Sequence, residues 1–278
     1  MTRPFRQSAR LAAGAVAAAG LAACASVSQE QEVQMGAQYA QQINAQLPIV
    51  RDPEVNRYIN VLGDSIARVT SRSDLDWQFY IVDDPSVNAF AVPGGFIYMN
   101  RGLIERTQTM SEVAGVLGHE IGHVTRRHSI KQMTKQQNAN IGLTLACTLT
   151  NVCNNQAAGA AIQLGAGAVF AKYSRQDEAE ADAEGVRYVT RAGIDPRGIP
   201  SMFRILLNER ETRPSSVTSF FATHPLEESR INATQAQIDR EVKPAVLTSL
   251  ARDTRNFQTF KARLRSLPRA PQPARQGQ

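Results

Sequence analysis

The stretch His119-Glu120-Ile121-Gly122-His123 constrains this chain more than any other. It lies in a run from Ser111 to His128 that reads as a helix, with Ser111 as the expected N-cap. Residues four apart on a helix share one face, a turn apart. His119 and His123 can therefore grip one metal ion, and Glu120 is held beside any water that the ion activates. A glutamate in that place is a general base. The chain of 278 residues has only four histidines, and two of them stand here. A catalytic zinc takes three protein ligands and keeps one position open, so the third ligand must come from elsewhere in the chain.

The candidates are His128, His224 and a well-placed carboxylate. His128 lies five residues past His123. On one continuous helix that is about 140° around, so His128 is expected to point away from the pair. The segment from Ser174 to Asp182 offers a better ligand. Glu178 and Asp182 are four apart on one helical face. If Glu178 binds the metal, Asp182 can accept the N–H of a ligand histidine and fix its tautomer. Glu180 falls near the opposite face and is expected to meet solvent. Alone, such an acidic run reads as the wet side of a helix. Beside the histidine pair it reads as the rest of a metal site.

The net charge of +6 is concentrated at the ends. Residues 1–23 carry Arg3, Arg6 and Arg10 and no acid, so without them 28 basic residues face 25 acidic ones. Much of the remaining excess lies at Lys261, Arg263, Arg265, Arg269 and Arg275. No dense basic cluster is interleaved with aromatics, so nucleic acid is not an expected partner. Leu11 to Ala23 is an apolar run too short to span a bilayer. It ends in Leu21-Ala22-Ala23-Cys24, which resembles a bacterial lipobox. That resemblance implies a signal peptide over 1–23, a lipidated Cys24 and, with Ala25 following, an anchor on the periplasmic face of the outer membrane. Two lipid signals anchor firmly where a single acyl chain holds only marginally. Export would put Cys147 and Cys153 in an oxidising compartment, where a disulfide is expected.

Apolar spacing and breakers organise the rest. Gln29 to Leu47 reads as a helix ended by Pro48. Asp52 and Pro53 read as N-cap and first residue of a helix to about Val69, with Val55, Ile59, Leu62 and Ile66 as its apolar stripe. Trp77 to Val82 reads as a strand. Asn88 to Val92, Pro93-Gly94-Gly95 and Phe96 to Asn100 read as strand, turn, strand. Residues 140–171 read as an apolar hairpin too polar to span a membrane. Further helices are expected over 174–192, 200–208, 225–238 and 256–267, with a loop over Ser219 to Thr223. Residues 24–267 form one expected domain, and the proline-rich 268–278 a disordered tail.

Four segments in order carry a specific resemblance. They are Asn88 to Gly95, Gly118 to His123, Ser174-Arg175 with Glu178 and Ala181-Asp182, and His224-Pro225 with Arg230. Together they resemble the HtpX-like and BepA-like zinc metallopeptidases, the family that also holds the CAAX prenyl endopeptidases. The resemblance implies an α+β, mostly α, gluzincin-like domain with a small β-sheet. It implies one Zn2+ per chain on His119, His123 and Glu178, with Asp182 behind a ligand histidine and Glu120 as the base. His224 would sit near the metal, as a cap of the open position or as a donor to the reaction intermediate, and Arg230 could also be such a donor. The strand at Asn88, Ala89 and Phe90 is a candidate edge for binding an extended peptide. The implied substrates are unfolded or misassembled envelope proteins. The rival expectation is an envelope-assembly binding or chaperone lipoprotein with a latent peptidase site.

Overall fold

The computed structural model describes residues 27–136 and 172–270. Cys24, Cys147, Cys153, the apolar hairpin and residues 271–278 lie outside the described residues.

The fold is mostly helical, with one small sheet. Helix α1 (Gln29–Gln46) opens on Ser28 in a capping box with Gln31. Helix α2 (Pro53–Ala67) begins as its sequence dictates. The Asp52 side chain accepts the Val55 N–H, and Pro53 takes the first position, where no donor is lost. Its stripe of Val55, Ile59, Leu62 and Ile66 is buried in the core.

Strands β1 (Gln78–Val82), β2 (Ala89–Val92) and β3 (Phe96–Asn100) form a sheet in the order β1-β3-β2. β1 runs parallel to β3 and β2 antiparallel to it, so β2 is an edge among these strands. Gly94 (φ 83°) and Gly95 (φ 104°) turn the chain between β2 and β3. Both occupy the left-handed region that glycine enters without steric cost.

Helix α3 (Arg101–Arg106) follows β3 without a break, where the sequence pattern announced no element. Its Arg101 is fully buried and binds Asp83, Glu105 and the carbonyls of Arg265, Leu267 and Pro268. Residues 268–270, the start of the expected tail, are held there: Arg269 pairs with Glu105, and the Ala270 N–H donates to Asp83.

Helix α4 (Met110–Thr125) is buried at every residue from Met110 to Val124. Its N-cap is Thr109, in a capping box with Glu112, two residues before the Ser111 that the sequence favours. It ends at Thr125 rather than His128. Arg127 turns left-handed (φ 56°), and a second helical stretch covers 128–136.

Helix α5 (Arg175–Arg191) opens on Ser174 boxed with Asp177 and packs along α4. Small residues set that spacing. A Cβ on Gly122 would lie 2.8 Å from the Ala181 carbonyl oxygen, and one on Gly118 2.9 Å from Val189 Cγ1. Helices α6 (Gly198–Thr212) and α8 (Glu228–Glu241) pack on this pair, and α7 (Pro214–Thr223) packs on α6. The expected loop over 219–223 is thus the second half of α7, which Pro214 starts. A short α9 (Pro244–Leu247) leads to α10 (Arg255–Ser266), whose Phe260 stacks on Tyr58 of α2 with centroids 4.4 Å apart. No described helix is long and apolar enough to cross a membrane.

Candidate active site

Helix α4 presents His119 and His123 from one face, as their spacing requires. Their Nε2 atoms lie 3.0 Å apart. The His119 Nδ1 is 2.8 Å from Asp182 Oδ1. A carboxylate only accepts, so Nδ1 carries the hydrogen, and in the neutral ring Nε2 then presents a lone pair. Glu178, one turn before Asp182 on α5, brings Oε1 to 3.4 Å from His123 Nε2 and Oε2 to 3.6 Å from His119 Nε2. His224 ends α7 as its C-cap. Its Nδ1 is 3.1 Å from Glu178 Oε1 and 3.4 Å from His119 Nε2.

One ligand atom from each of His119, His123, Glu178 and His224 lies within 4.8 Å of the other three, and all four residues are buried. Imidazole lone pairs and a carboxylate that converge on one buried point repel one another unless a cation sits among them. Two imidazoles and a carboxylate are the donor set of a catalytic zinc. The residues present therefore fit that metal.

The charges around this cluster are unequal. Burial works to raise Glu178, but His224, His123 and His119 outweigh it and hold the carboxyl well below its usual range. Burial keeps His123 well below the usual histidine value, hence neutral, the form that ligates. Burial also pushes Glu120 up, beyond what His224 and His119 offset. Neither carboxylate oxygen of Glu120 has a hydrogen-bond partner. The His224 Nε2, also without one, lies 3.6 Å from Glu120 Oε1.

Arg230 spends its guanidinium on the two carboxylates of α5. Nη1 is 2.5 Å from Glu178 Oε2, while Nε and Nη2 reach Asp182 at 2.8 and 2.7 Å. Burial would raise Asp182, but Arg230 and His119 outweigh it and hold it ionised. Nη1 also donates to the Pro225 carbonyl, which fixes the segment next to His224. Asn88, Ala89 and Phe90 lie at the start of edge strand β2, which packs against α4.

Four neighbours of the site lie where the sequence does not place them. His128 does not point away: it is buried and its Nδ1 lies 2.9 Å from His123 Nδ1. A rotation of about 140° holds only along an unbroken helix, and the left-handed Arg127 breaks this one. Glu180 is accordingly not a purely solvated residue, since its Oε2 lies 3.4 Å from His128 Nε2. Tyr173 stacks on His123 (centroids 3.9 Å apart) and its hydroxyl meets Ser129 at 2.9 Å. Phe220 stacks on His224 at 4.9 Å. An aromatic residue just before the Ser174 cap was the available signal for Tyr173; nothing local marked the other contacts.

The comparisons with known proteins agree with this geometry. The model of peptidase family M48 matches residues 53–238. The chain is similar to the beta-barrel assembly-enhancing protease of Yersinia pestis, at 33% identity over 77% of this chain and 45% of that protein. It is similar to the protein of the same name in Escherichia coli K12, at 31% identity over 88% of this chain and 50% of that protein. It is also similar to metalloprotease LoiP of that strain, at 27% identity over 74% of this chain and 79% of that protein. The chain thus spans about half the length of the beta-barrel assembly-enhancing proteases it matches.

Proposed function

This chain belongs to peptidase family M48, a family of zinc metallopeptidases, and we propose that it is itself a zinc-dependent endopeptidase of the bacterial envelope. The observation that carries the reading is the buried convergence of His119, His123 and Glu178 beside a Glu120 whose oxygens are unpartnered. These three residues are the metal ligands. Zinc held there supplies Lewis acidity, which makes water acidic near neutral pH and polarises a peptide carbonyl.

The chain's own residues do the rest. Glu120 takes a proton from water at a carboxylate oxygen and passes it to the leaving amine. Its burial and lack of competing hydrogen bonds leave that carboxylate free for the transfer. Asp182 holds His119 through Nδ1, and Arg230 holds Asp182 and Glu178 together. The part of Arg230 is therefore to orient the ligand carboxylate Glu178 and the Asp182 that holds a ligand histidine. The edge of β2, with Asn88, Ala89 and Phe90, would take an extended substrate as an added strand.

His224 supports a second reading of the same site. It is the fourth member of the cluster and faces both Glu178 and Glu120. In that position it caps the place a substrate carbonyl needs, so the form described here is a resting one. A latent peptidase that mainly binds assembly partners would look the same at rest.

The lipobox-like Leu21-Ala22-Ala23-Cys24 supports a lipid anchor at Cys24, with the domain facing the periplasm. The family resemblance supports unfolded or misassembled envelope proteins as substrates, and the relatives' name, beta-barrel assembly-enhancing protease, supports β-barrel proteins among them. Hydrolysis of unfolded casein tests the reading. Activity should vanish with a chelator and return with added zinc. Activity that survives full removal of zinc would contradict it.

A further inference from the structure

We infer that His128 is a positioning residue for the metal site, the hydrogen-bond acceptor that fixes the ring and tautomer of His123. The inference rests on the reading of His123 as a ligand. Both α4 histidines direct Nε2 at the cluster. A neutral imidazole that ligates through Nε2 carries its hydrogen on Nδ1 and needs an acceptor there. For His119 that acceptor is Asp182, 2.8 Å away. The carboxylates of α5 near His123 meet its Nε2 side instead, so its Nδ1 has no carboxylate. Its partner is the ring nitrogen of His128, 2.9 Å from it.

The tautomers follow from donor and acceptor counting. His123 donates from Nδ1, so His128 accepts at Nδ1 and carries its own hydrogen on Nε2. That Nε2–H faces two carboxylates of α5, Glu180 Oε2 at 3.4 Å and Asp177 Oδ1 at 3.7 Å. The order is consistent from end to end: carboxylate, His128, His123, cluster. Reversing His128 would aim an N–H at an N–H and leave the carboxylates facing a lone pair.

The backbone is shaped to deliver this ring. A helix continued through residue 128 would carry His128 to another face. Arg127 takes a left-handed conformation that arginine seldom adopts, and the chain doubles back. Buried Glu32 of α1 holds that turn, with Oε2 2.7 Å from Arg127 Nε, while Arg127 Nη2 reaches the Val27 carbonyl at 2.5 Å. Arg72 closes the brace from α1 to the end of α4, at 2.7 Å from Glu32 and 3.0 Å from the Val124 carbonyl. On the opposite side Tyr173 clamps the His123 ring and is itself held by Ser129, the residue after His128. A surface histidine would need none of this support.

Chelator competition for zinc on the full chain is the test. His128→Phe keeps a ring and removes the acceptor, and should weaken zinc binding by about 10–100-fold, as loss of such a partner does elsewhere. His128→Asn restores an acceptor oxygen near the position of Nδ1 and should recover most of that loss, which a filler of space alone would not. Equal zinc affinity in wild type and His128→Phe, or no recovery in His128→Asn, would overturn the inference. A wild type that binds no zinc would overturn the ligand reading beneath it. Should His128→Phe fail to fold, ring-nitrogen NMR of the zinc-loaded wild type decides. Hydrogens on Nδ1 of His123 and Nε2 of His128 are expected, and any other pair of tautomers contradicts it.

Discussion

At the scale of single residues, the site is a set of matched donors and acceptors rather than a collection of charges. Asp182 serves His119, Arg230 serves Asp182 and Glu178, and both carboxylate oxygens of Glu120 are left without a hydrogen-bond partner, as is the His224 Nε2 that faces them. His224 has two proposed roles, and they predict opposite outcomes. As a cap on the fourth position, its removal should raise basal hydrolysis of unfolded casein, because the competent state no longer has to be populated by displacing it. A donor to the reaction intermediate would show the opposite sign, a loss of about 10²–10³ in kcat. Steady-state rates of His224→Ala separate the two. Helical periodicity gives His119 with His123 and Glu178 with Asp182 as two pairs, each on one face of its helix. That the pairs belong together rests on the need of zinc for a third ligand and on the family resemblance. His128 could not be read in this way. Its place depends on one left-handed arginine, and neither Arg127 nor its neighbours carry a glycine or asparagine that would signal it.

At the scale of elements, the site depends on how closely α4 and α5 approach. Gly118 and Gly122 lie on the face of α4 that meets α5; Gly122 lies against the Ala181 backbone, and Gly118 against the Val189 side chain and the Gly185 backbone. That contact brings Glu178 and Asp182 within reach of the histidines. Gly122→Val places branched carbon where the Ala181 carbonyl already stands, and overpacking of this kind costs about 1–3 kcal/mol. A Tm several degrees lower, together with weaker zinc binding, is the expected outcome of a melt and a chelator titration. An unchanged Tm and zinc affinity would show that the helices can separate without harm. Elements with strong local signals were legible. Asp52-Pro53 opens α2, and Gly94-Gly95 turns β2 into β3. Helices α3 and α7 were not. α3 is six residues long and has no apolar period to display. α7 carries Ser, Thr and Phe, a composition that reads as loop until α6 covers it.

At the scale of the whole molecule, one core supports both halves of the site, since α4, α5 and α6 pack together and the sheet lies on α4. The C-terminal segment is tied back by buried Arg101, a link that no sequence pattern announces because its partners lie more than 160 residues away. The proposed anchor makes a prediction at this scale. Cys24→Ser should release the protein from membranes and abolish metabolic labelling with fatty acid, and an unlabelled wild type would show that Cys24 is incidental. The central claim, a zinc site with Glu120 as its base, is tested most directly by one paired measurement on Glu120→Gln: zinc content by elemental analysis and hydrolysis of unfolded casein. The substitution leaves the three ligands in place and removes only the base. Zinc should stay near one ion per chain while hydrolysis falls by about 10²-fold or more. Undiminished hydrolysis in a zinc-loaded Glu120→Gln protein would contradict the account.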